Sequence, residues 1–107
     1  MSVGDVLQPE GAGNCLHLVV GAGREALEDC LLHSAARDSI LFLDAGVLHL
    51  LQEGNAPVVG LAQAFFAEAD LQAHGLLALA RQMHLRRVDD AGFWSLVASH
   101  EHCLTWT

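Results

Sequence analysis

The stretch Cys15-Leu-His-Leu-Val-Val20, followed by Gly21-Ala-Gly23, decides the fold class of this 107-residue chain. Its first six residues are mostly apolar, as in a strand that is buried on both faces of a parallel sheet. Beyond the glycine turn, apolar or small side chains recur at helical spacing: Leu27, Cys30, Leu31 and Ser34. A buried strand that leads directly into an amphipathic helix predicts the start of an α/β domain.

The same alternation of strand and helix continues to the end of the chain. Further short apolar runs predict strands at Ile40–Leu43, Ala64–Ala67, Leu85–Val88 and Cys103–Trp106. The first helix is predicted to end near Arg37-Asp38. Helical stretches are predicted around Val47 to Leu51, after a cap at Glu68-Ala-Asp70, over Leu76 to Met83, and after an N-cap at Asp89-Asp90. Because strands separated by helices pair in parallel, the sequence predicts a three-layer α/β sandwich with a mostly parallel sheet of four or five strands and flanking helices.

The chain divides into an arm and one domain. Residues 1–14 contain Gly4, Pro9, Gly11 and Gly13 before the first apolar run, which predicts a flexible N-terminal arm. Residues 15–107 then form a single α/β domain. The arm has no basic start followed by an apolar run, and the longest apolar stretches fall far short of the roughly 20 residues that span a bilayer. We therefore expect a cytoplasmic protein that does not enter a membrane.

Composition indicates protein partners rather than nucleic acid. Apolar residues make up 52% of the chain and charged residues only 17%, so part of the surface is expected to be covered. A homo-oligomer of the isolated chain would be one way to cover it. The net charge of -8, with 13 acidic residues against five arginines, argues against direct binding of a phosphate backbone.

The turn Gly21-Ala-Gly23 resembles part of a dinucleotide-binding loop. Glycines after a strand let backbone amides approach a phosphate at a helix start, and Arg24 follows directly. The third glycine of that motif is missing, however, so a plain strand-to-helix turn is the favoured interpretation. No cofactor is predicted.

Seven histidines and three cysteines raise the question of a metal site. Two pairs lie close together in the sequence, Cys15 with His17 and Cys30 with His33. A third group of possible ligands is His100-Glu-His-Cys103. None of these spacings matches a paired CxxC or an HExxH motif, so no metal is predicted. An odd number of widely spaced cysteines also fits no disulfide framework, which predicts free thiols.

Cys30 is the candidate nucleophile. A thiol on the helix after the turn can accept a persulfide if it is exposed and its thiolate is stabilised. Two local features oppose this: Glu28 and Asp29 are close anions, and Cys30 shares an apolar stripe with Leu27 and Leu31. Local chemistry therefore favours a buried, inert thiol as the alternative.

Four stretches of the chain, taken in order, carry a family resemblance. They are Leu16-His-Leu-Val19, Ala26-Leu-Glu-Asp-Cys30-Leu31, Ile40-Leu-Phe-Leu-Asp44-Ala-Gly-Val47, and Asp70-Leu-Gln-Ala-His-Gly75-Leu76 followed by Val88-Asp-Asp-Ala-Gly-Phe93. With the closing Leu104-Thr-Trp106, they cover most of residues 15–106. In order and spacing they resemble the TusB/DsrH family of small sulfur-relay subunits.

The resemblance implies a function that is shared among several chains. It implies a TusBCD-type or DsrEFH-type heterohexamer, in which TusC/TusD-like (DsrF/DsrE-like) subunits accompany this chain and the chief sulfur acceptor lies on the TusD or DsrE subunit. Cys30 falls where DsrH-like members carry a cysteine, which implies a persulfide carrier. The expected function is sulfur transfer, through a TusE-like carrier, for tRNA wobble 2-thiouridine formation. The alternatives are a DsrH-like role in dissimilatory sulfur oxidation and a purely structural subunit with no reactive thiol. In each case the chain is at most a sulfurtransferase complex subunit, not an enzyme alone.

Overall fold

A computed structural model of the chain describes residues 15–52, 54, 56–59 and 61–107. The predicted arm at residues 1–14 lies outside them. The elements in chain order are β1 (Cys15–Val19), α1 (Arg24–His33), β2 (Ser39–Phe42), a 3₁₀ helix (Asp44–Leu51), α2 (Ala56–Val59), β3 (Ala64–Ala67), α3 (Glu68–Ala73), α4 (Leu77–Gln82), β4 (Arg86–Val88), α5 (Asp90–Ala98) and β5 (His102–Trp106).

The five strands of the described residues form one sheet in the order β4-β3-β2-β1-β5. Every neighbouring pair is parallel. The last strand of the chain therefore lies beside the first, and His17 is opposite Ile40 on one side and Leu104 on the other. The prediction of an α/β sandwich with a parallel sheet is confirmed.

The core lies on one face of this sheet. Successive side chains of a strand point to opposite faces, and the inward set includes Val19, Ile40, Phe42 and Phe66. The rings of Phe42 and Phe66 stack at 4.7 Å between centroids. The helical elements from α1 to α4 contribute Ala26, Leu27, Cys30, Val47, Leu50, Val59, Leu71 and Ala80. The cluster is completed by Ala64 of β3 and by Leu76 and Leu85, which directly precede α4 and β4. Each of these side chains is removed from water, and together they form the hydrophobic core on this face.

The second face of the sheet is covered more thinly. Leu16 and Leu41 are fully buried there, and Phe93 of α5 lines a pocket with Ala67 and Val88. No residue of α5 is itself buried, however. Much of the apolar surface of α5 therefore remains in contact with solvent. Among the described helices, none is long and apolar enough to cross a membrane.

The first helix ends earlier than predicted. It stops at His33 rather than near Arg37-Asp38, because the Ser34 hydroxyl donates to the Cys30 carbonyl at 2.8 Å and Asp38 accepts from the Ala35 amide. Side chains of this kind offer the backbone an alternative to the helix ladder. The predicted apolar stripe is also partly wrong, since Leu31 is 38% exposed and Ala26 takes its place in the core.

Of the two helix caps predicted later in the chain, one is confirmed and the other is wrong. Asp89 is the N-cap of α5 and accepts from the Gly92 amide at 2.8 Å, as predicted. The predicted cap at Glu68-Ala-Asp70 is wrong, because α3 begins after Ala67 without a side-chain cap. Asp70 turns instead to the 3₁₀ helix and accepts from the Asp44 amide at 2.7 Å.

Candidate functional site

A buried polar network links the first strand, the loop before β2 and the last strand. His17 on β1 is fully buried. Its Nδ1 accepts from the indole N–H of Trp106 at 3.0 Å, and its Nε2 lies 2.7 Å from Asp38 Oδ2. An indole nitrogen can only donate, so Nδ1 carries no proton. The neutral ring is therefore protonated at Nε2 and donates to Asp38.

Asp38 is the anionic end of this network. Besides His17, its carboxylate accepts from the backbone amides of Cys15 and Ala35, each at 3.0 Å. Burial alone would raise the pKa of Asp38, but the hydrogen bonds from Ala35, His17 and Cys15 outweigh it and hold that pKa below its ordinary value. The carboxylate is therefore ionised in the folded chain at neutral pH.

Trp106 is the neutral end of the network. Its ring plane lies within 22° of that of His17, with centroids 6.0 Å apart, so the two rings meet edge to edge through their hydrogen bond. The Trp106 ring also contacts the His33 ring of α1 at 5.1 Å. Its carbonyl accepts from the amides of Val20 and Gly21. The other four residues of β5 are all exposed. Trp106 thus makes the side-chain attachment of the last strand to the body of the domain.

Cys30, the predicted persulfide carrier, lies in the core of the domain. Its side chain is fully buried, and its Sγ lies 3.8 Å from the Ser34 hydroxyl. Burial raises the pKa of the Cys30 thiol; Ser34 partly offsets this, while Cys15 and Asp38 add to it. These are the surroundings of a structural thiol rather than of an activated nucleophile. They favour the inert alternative that the sequence left open.

The other two thiols differ in exposure. Cys15 is partly exposed, and burial, Asp38 and Cys103 raise its pKa, partly offset by the Leu104 amide. Cys103 is exposed on β5. It lies opposite Leu16 in register, whereas Cys15 lies opposite His102. The two thiols therefore project to opposite faces of the sheet. All three cysteines are free, as predicted.

One group of side chains in the described residues has the spacing of a metal site. Ligand atoms of Cys15, His17 and Asp38 lie within 4.8 Å of one another, and a set of one sulfur, one nitrogen and one oxygen suits zinc. The hydrogen bonds oppose this use, because Nδ1 of His17 is taken by Trp106 and Nε2 holds the proton donated to Asp38. Ligation through Nε2 would need that proton on Nδ1, where it would meet the indole N–H. The geometry is that of a hydrogen-bonded network.

The remaining histidine pairs considered from the sequence have structural contacts. His33 donates from Nδ1 to the Asp29 carbonyl at 2.8 Å. His100 joins the Leu96 carbonyl, 2.6 Å from Nδ1, to the Ser39 hydroxyl, 2.9 Å from Nε2. His100 therefore ties the end of α5 to the start of β2.

The glycine turn after β1 is occupied by the protein itself. A Cβ on Gly21 would lie 2.5 Å from the Thr107 carbonyl oxygen, and the Gly21 carbonyl accepts from Nε2 of His49 at 2.8 Å. The small residue is needed because the end of the chain passes close to it. These contacts support the plain strand-to-helix turn.

A depression on the surface of the described residues lies beside α1. Its volume is about 700 Å³ and its lining is Arg24, Leu27, Glu28, Leu31, Gln52, Gly54 and Val58. Arg24 and Glu28 are four residues apart on one helix, a spacing at which opposite charges attract. None of the residues of the polar network lines it.

Two residues of the polar network were missed from the sequence. The sequence pattern presents Asp38 as the end of a helix and Trp106 as a residue of the closing strand. The available signal was His17, since a histidine inside a fully apolar strand requires hydrogen-bond partners from elsewhere in the chain. Nothing local to Asp38 or Trp106 identified them as those partners.

Comparison with known proteins identifies the family of the chain. No curated protein matches the chain. A family model described as DsrH like protein matches residues 22–103, from the turn before α1 into β5. The match covers more than half of the chain and includes Cys30 and Asp38. By this match, the chain belongs to the DsrH-like family.

Proposed function

We propose that this chain is the DsrH-like (TusB-like) subunit of a hetero-oligomeric sulfur relay that supplies sulfur for 2-thiouridine at the tRNA wobble position. The observation that carries the proposal is the family match over residues 22–103, on an all-parallel five-stranded sheet. The partners would be TusC/TusD-like (DsrF/DsrE-like) chains in a heterohexamer, with a TusE-like protein receiving the sulfur.

Exposed apolar side chains support a subunit that works with partners. Leu32 is 79% exposed, Trp94 66% and Leu51 56%. Trp94 lies on α5, the helix of the thinly covered face, none of whose residues is buried. Aromatic residues are enriched where protein surfaces meet. A partner chain on this surface would remove Trp94 from water.

The proposal has two forms, which differ in the role of Cys30. In the first form Cys30 carries sulfur, and in the second it is a structural thiol. As a carrier, its thiolate would attack the terminal sulfur of a donor persulfide. The donor's S–S bond would break, a new S–S bond would form on Cys30, and the donor thiolate would leave with the electron pair, so the transfer needs no external oxidant. This chemistry requires a deprotonated, reachable sulfur. Cys30 is fully buried with a raised pKa, which favours the second form, a structural subunit whose own thiol carries no sulfur.

The test uses the complex assembled with its co-expressed partners. Cysteine labelled with radioactive sulfur, a cysteine desulfurase and substrate tRNA would be supplied, and labelled 2-thiouridine would be measured. The complex should support labelling, and omission of this chain should abolish it. If labelling proceeds equally well without this chain, the thiouridine role is wrong; loss of sulfur oxidation in a deletion strain would then indicate the oxidative role.

Substitutions of the thiols test whether Cys30 carries sulfur or the chain is a structural subunit. Cys30→Ser keeps the size of the buried group, and Cys103→Ser is the matched control at an exposed thiol. For a structural subunit, both variant complexes should transfer sulfur at the wild-type rate. If Cys30→Ser assembles normally but loses transfer while Cys103→Ser retains it, Cys30 is the carrier and the structural form is wrong.

A further inference from the structure

We propose that Asp38, His17 and Trp106 form a protonation-controlled latch that holds β5 against the edge of the sheet. A second proton on His17 would release Trp106 while leaving Asp38 bound. The inference rests on the hydrogen bonds of the fold and does not depend on sulfur transfer.

In the latched state, His17 is a neutral ring with its proton on Nε2. Trp106 Nε1 donates to Nδ1 of His17 at 3.0 Å, and the other ring nitrogen donates to Asp38 at 2.7 Å. The neutral imidazole offers one donor and one acceptor, and each has its matching partner. The latched state is therefore specific to the neutral ring.

A second proton on the ring would bind at Nδ1. Both ring nitrogens of a histidine cation are donors. The bond to Asp38 persists and becomes an ion pair, which strengthens it. The bond to Trp106 is lost, because two N–H groups then face each other. Protonation therefore acts on one side of the ring only.

Several titratable groups lie near the ring of His17 or near its two partners. Asp38, before β2, is the anion that faces it, and Cys15 lies on its own strand. On α1, Cys30 lies near Cys15 and Asp38, and His33 lies against the Trp106 ring. On β5, His102 is opposite Cys15 in register. His33 contacts the Trp106 ring itself, and a cationic His33 would attract the indole face. A variant of His17 separates the two effects.

The side-chain attachment of β5 depends on Trp106. Within the part of the chain that the structure describes, this strand is at the edge of the sheet and pairs with β1 alone. The other four side chains of β5 are exposed. Release of the Trp106 ring therefore leaves β5 without a side chain anchored in the domain. The backbone bonds to β1 remain, together with those from Val20 and Gly21 to the Trp106 carbonyl. We expect β5 to open more often and to uncover the outer edge of β1.

The test follows the indole N–H signals of the full chain by NMR from about pH 8 to about pH 5. The chain has two tryptophans, and the 66%-exposed Trp94 is an internal control. Trp94→Phe assigns the signals. After correction for the intrinsic pH effect, solvent exchange of the Trp106 N–H should rise about fivefold, the factor that loss of one net hydrogen bond corresponds to. The change should coincide with the gain of a second proton by His17, and Trp94 should show none.

Two variants complete the test. His17→Gln keeps an acceptor and a donor but cannot be protonated, so the pH response of Trp106 should disappear. Trp106→Phe removes the donor, so His17 should gain its second proton at a higher pH than in the wild type. The latch is wrong if Trp106 stays protected after His17 is protonated, or if His17 remains neutral throughout the range. Should His17→Gln fail to fold, the wild-type titration and Trp106→Phe decide.

Discussion

A histidine inside a parallel sheet needs hydrogen-bond partners, and His17 takes them from two distant segments. Asp38 is 21 residues away and Trp106 is 89 residues away along the chain. A buried polar group left without a partner costs about 1 to 3 kcal/mol. The three residues therefore stabilise the fold only as a set, and loss of either partner leaves His17 unsatisfied.

The carboxylate of Asp38 gives stability a defined dependence on pH. Its pKa is below its ordinary value of 3.8 in the folded chain, so its contribution is present above that value and is lost as the pH falls through the lower, folded one. Asp38→Asn should reduce the free energy of unfolding by about 1.5 to 3 kcal/mol at neutral pH. The difference from wild type should shrink below about pH 4.

Urea unfolding at neutral and acidic pH measures this difference. Asp29→Asn on the exposed side of α1 is the matched control, and it should change stability by less than about 0.5 kcal/mol. A difference between wild type and Asp38→Asn that stays constant down to pH 3 would contradict the assigned role of the carboxylate.

Gly46 is the second residue whose local contacts allow a sharp prediction. A Cβ there would lie 1.9 Å from the carbonyl oxygen of Val19, a backbone atom that cannot rotate away. Gly46→Ala should therefore lower the free energy of unfolding by about 3 kcal/mol or more. Gly23→Ala has nothing within 4 Å of the new Cβ and should change it by about 1 kcal/mol or less. Equal thermal stability of the two variants would show that β1 moves freely away from the 3₁₀ helix.

At the scale of the elements, short segments and their caps decide what the sequence can reveal. The strand Ala64–Ala67 was predicted with its observed bounds, because apolar runs between helices mark buried strands directly. The end of α1 was predicted about four residues late, because it depends on the bonds that Ser34 and Asp38 make after the helix. Those bonds depend on tertiary placement, which no local pattern contains.

The cap of α5 is the element-scale prediction. Asp89 accepts from the Gly92 amide at 2.8 Å, so Asp89→Ala should lower stability by about 1 kcal/mol. Asp90→Ala, one residue further, is the control; it removes a first-turn charge but no cap bond and should cost less, about 0.3 to 0.5 kcal/mol. Thermal unfolding of both variants measures the effect. A larger loss from Asp90→Ala than from Asp89→Ala would contradict the observed cap.

At the scale of the whole molecule, charge and fold class were accessible from the sequence, whereas strand order and the site were not. Alternating strands and helices predicted the parallel sheet, and the order of motifs predicted the family. The polar network was beyond reach, because it depends on β5 lying beside β1. Strand order across a sheet is a property of the complete fold, and each of the three residues looks ordinary in its own segment.

The charge of the molecule gives the last prediction. With a net charge of -8 and five arginines, the isolated chain should not retain tRNA at about 0.15 M salt, with affinity weaker than the roughly 10⁻⁴ to 10⁻⁶ M of ordinary non-specific binders. Filter binding with labelled tRNA checks this, and the assembled complex is the comparison. Saturable binding that weakens as salt rises would show a basic surface that the net charge conceals.

The pairing of β1 with β5 also bears on the order in which the molecule folds. β1 meets β2 after one short crossover, but its contact with β5 joins His17 to a residue 89 positions later. Closing so long a loop is slow, because its entropy must be lost before the contacts form. Until it closes, the outer edge of β1 is an unpaired strand edge that other extended segments can join. Folding of the single chain and misassembly between chains therefore compete for the same strand, and the speed with which β5 docks decides between them.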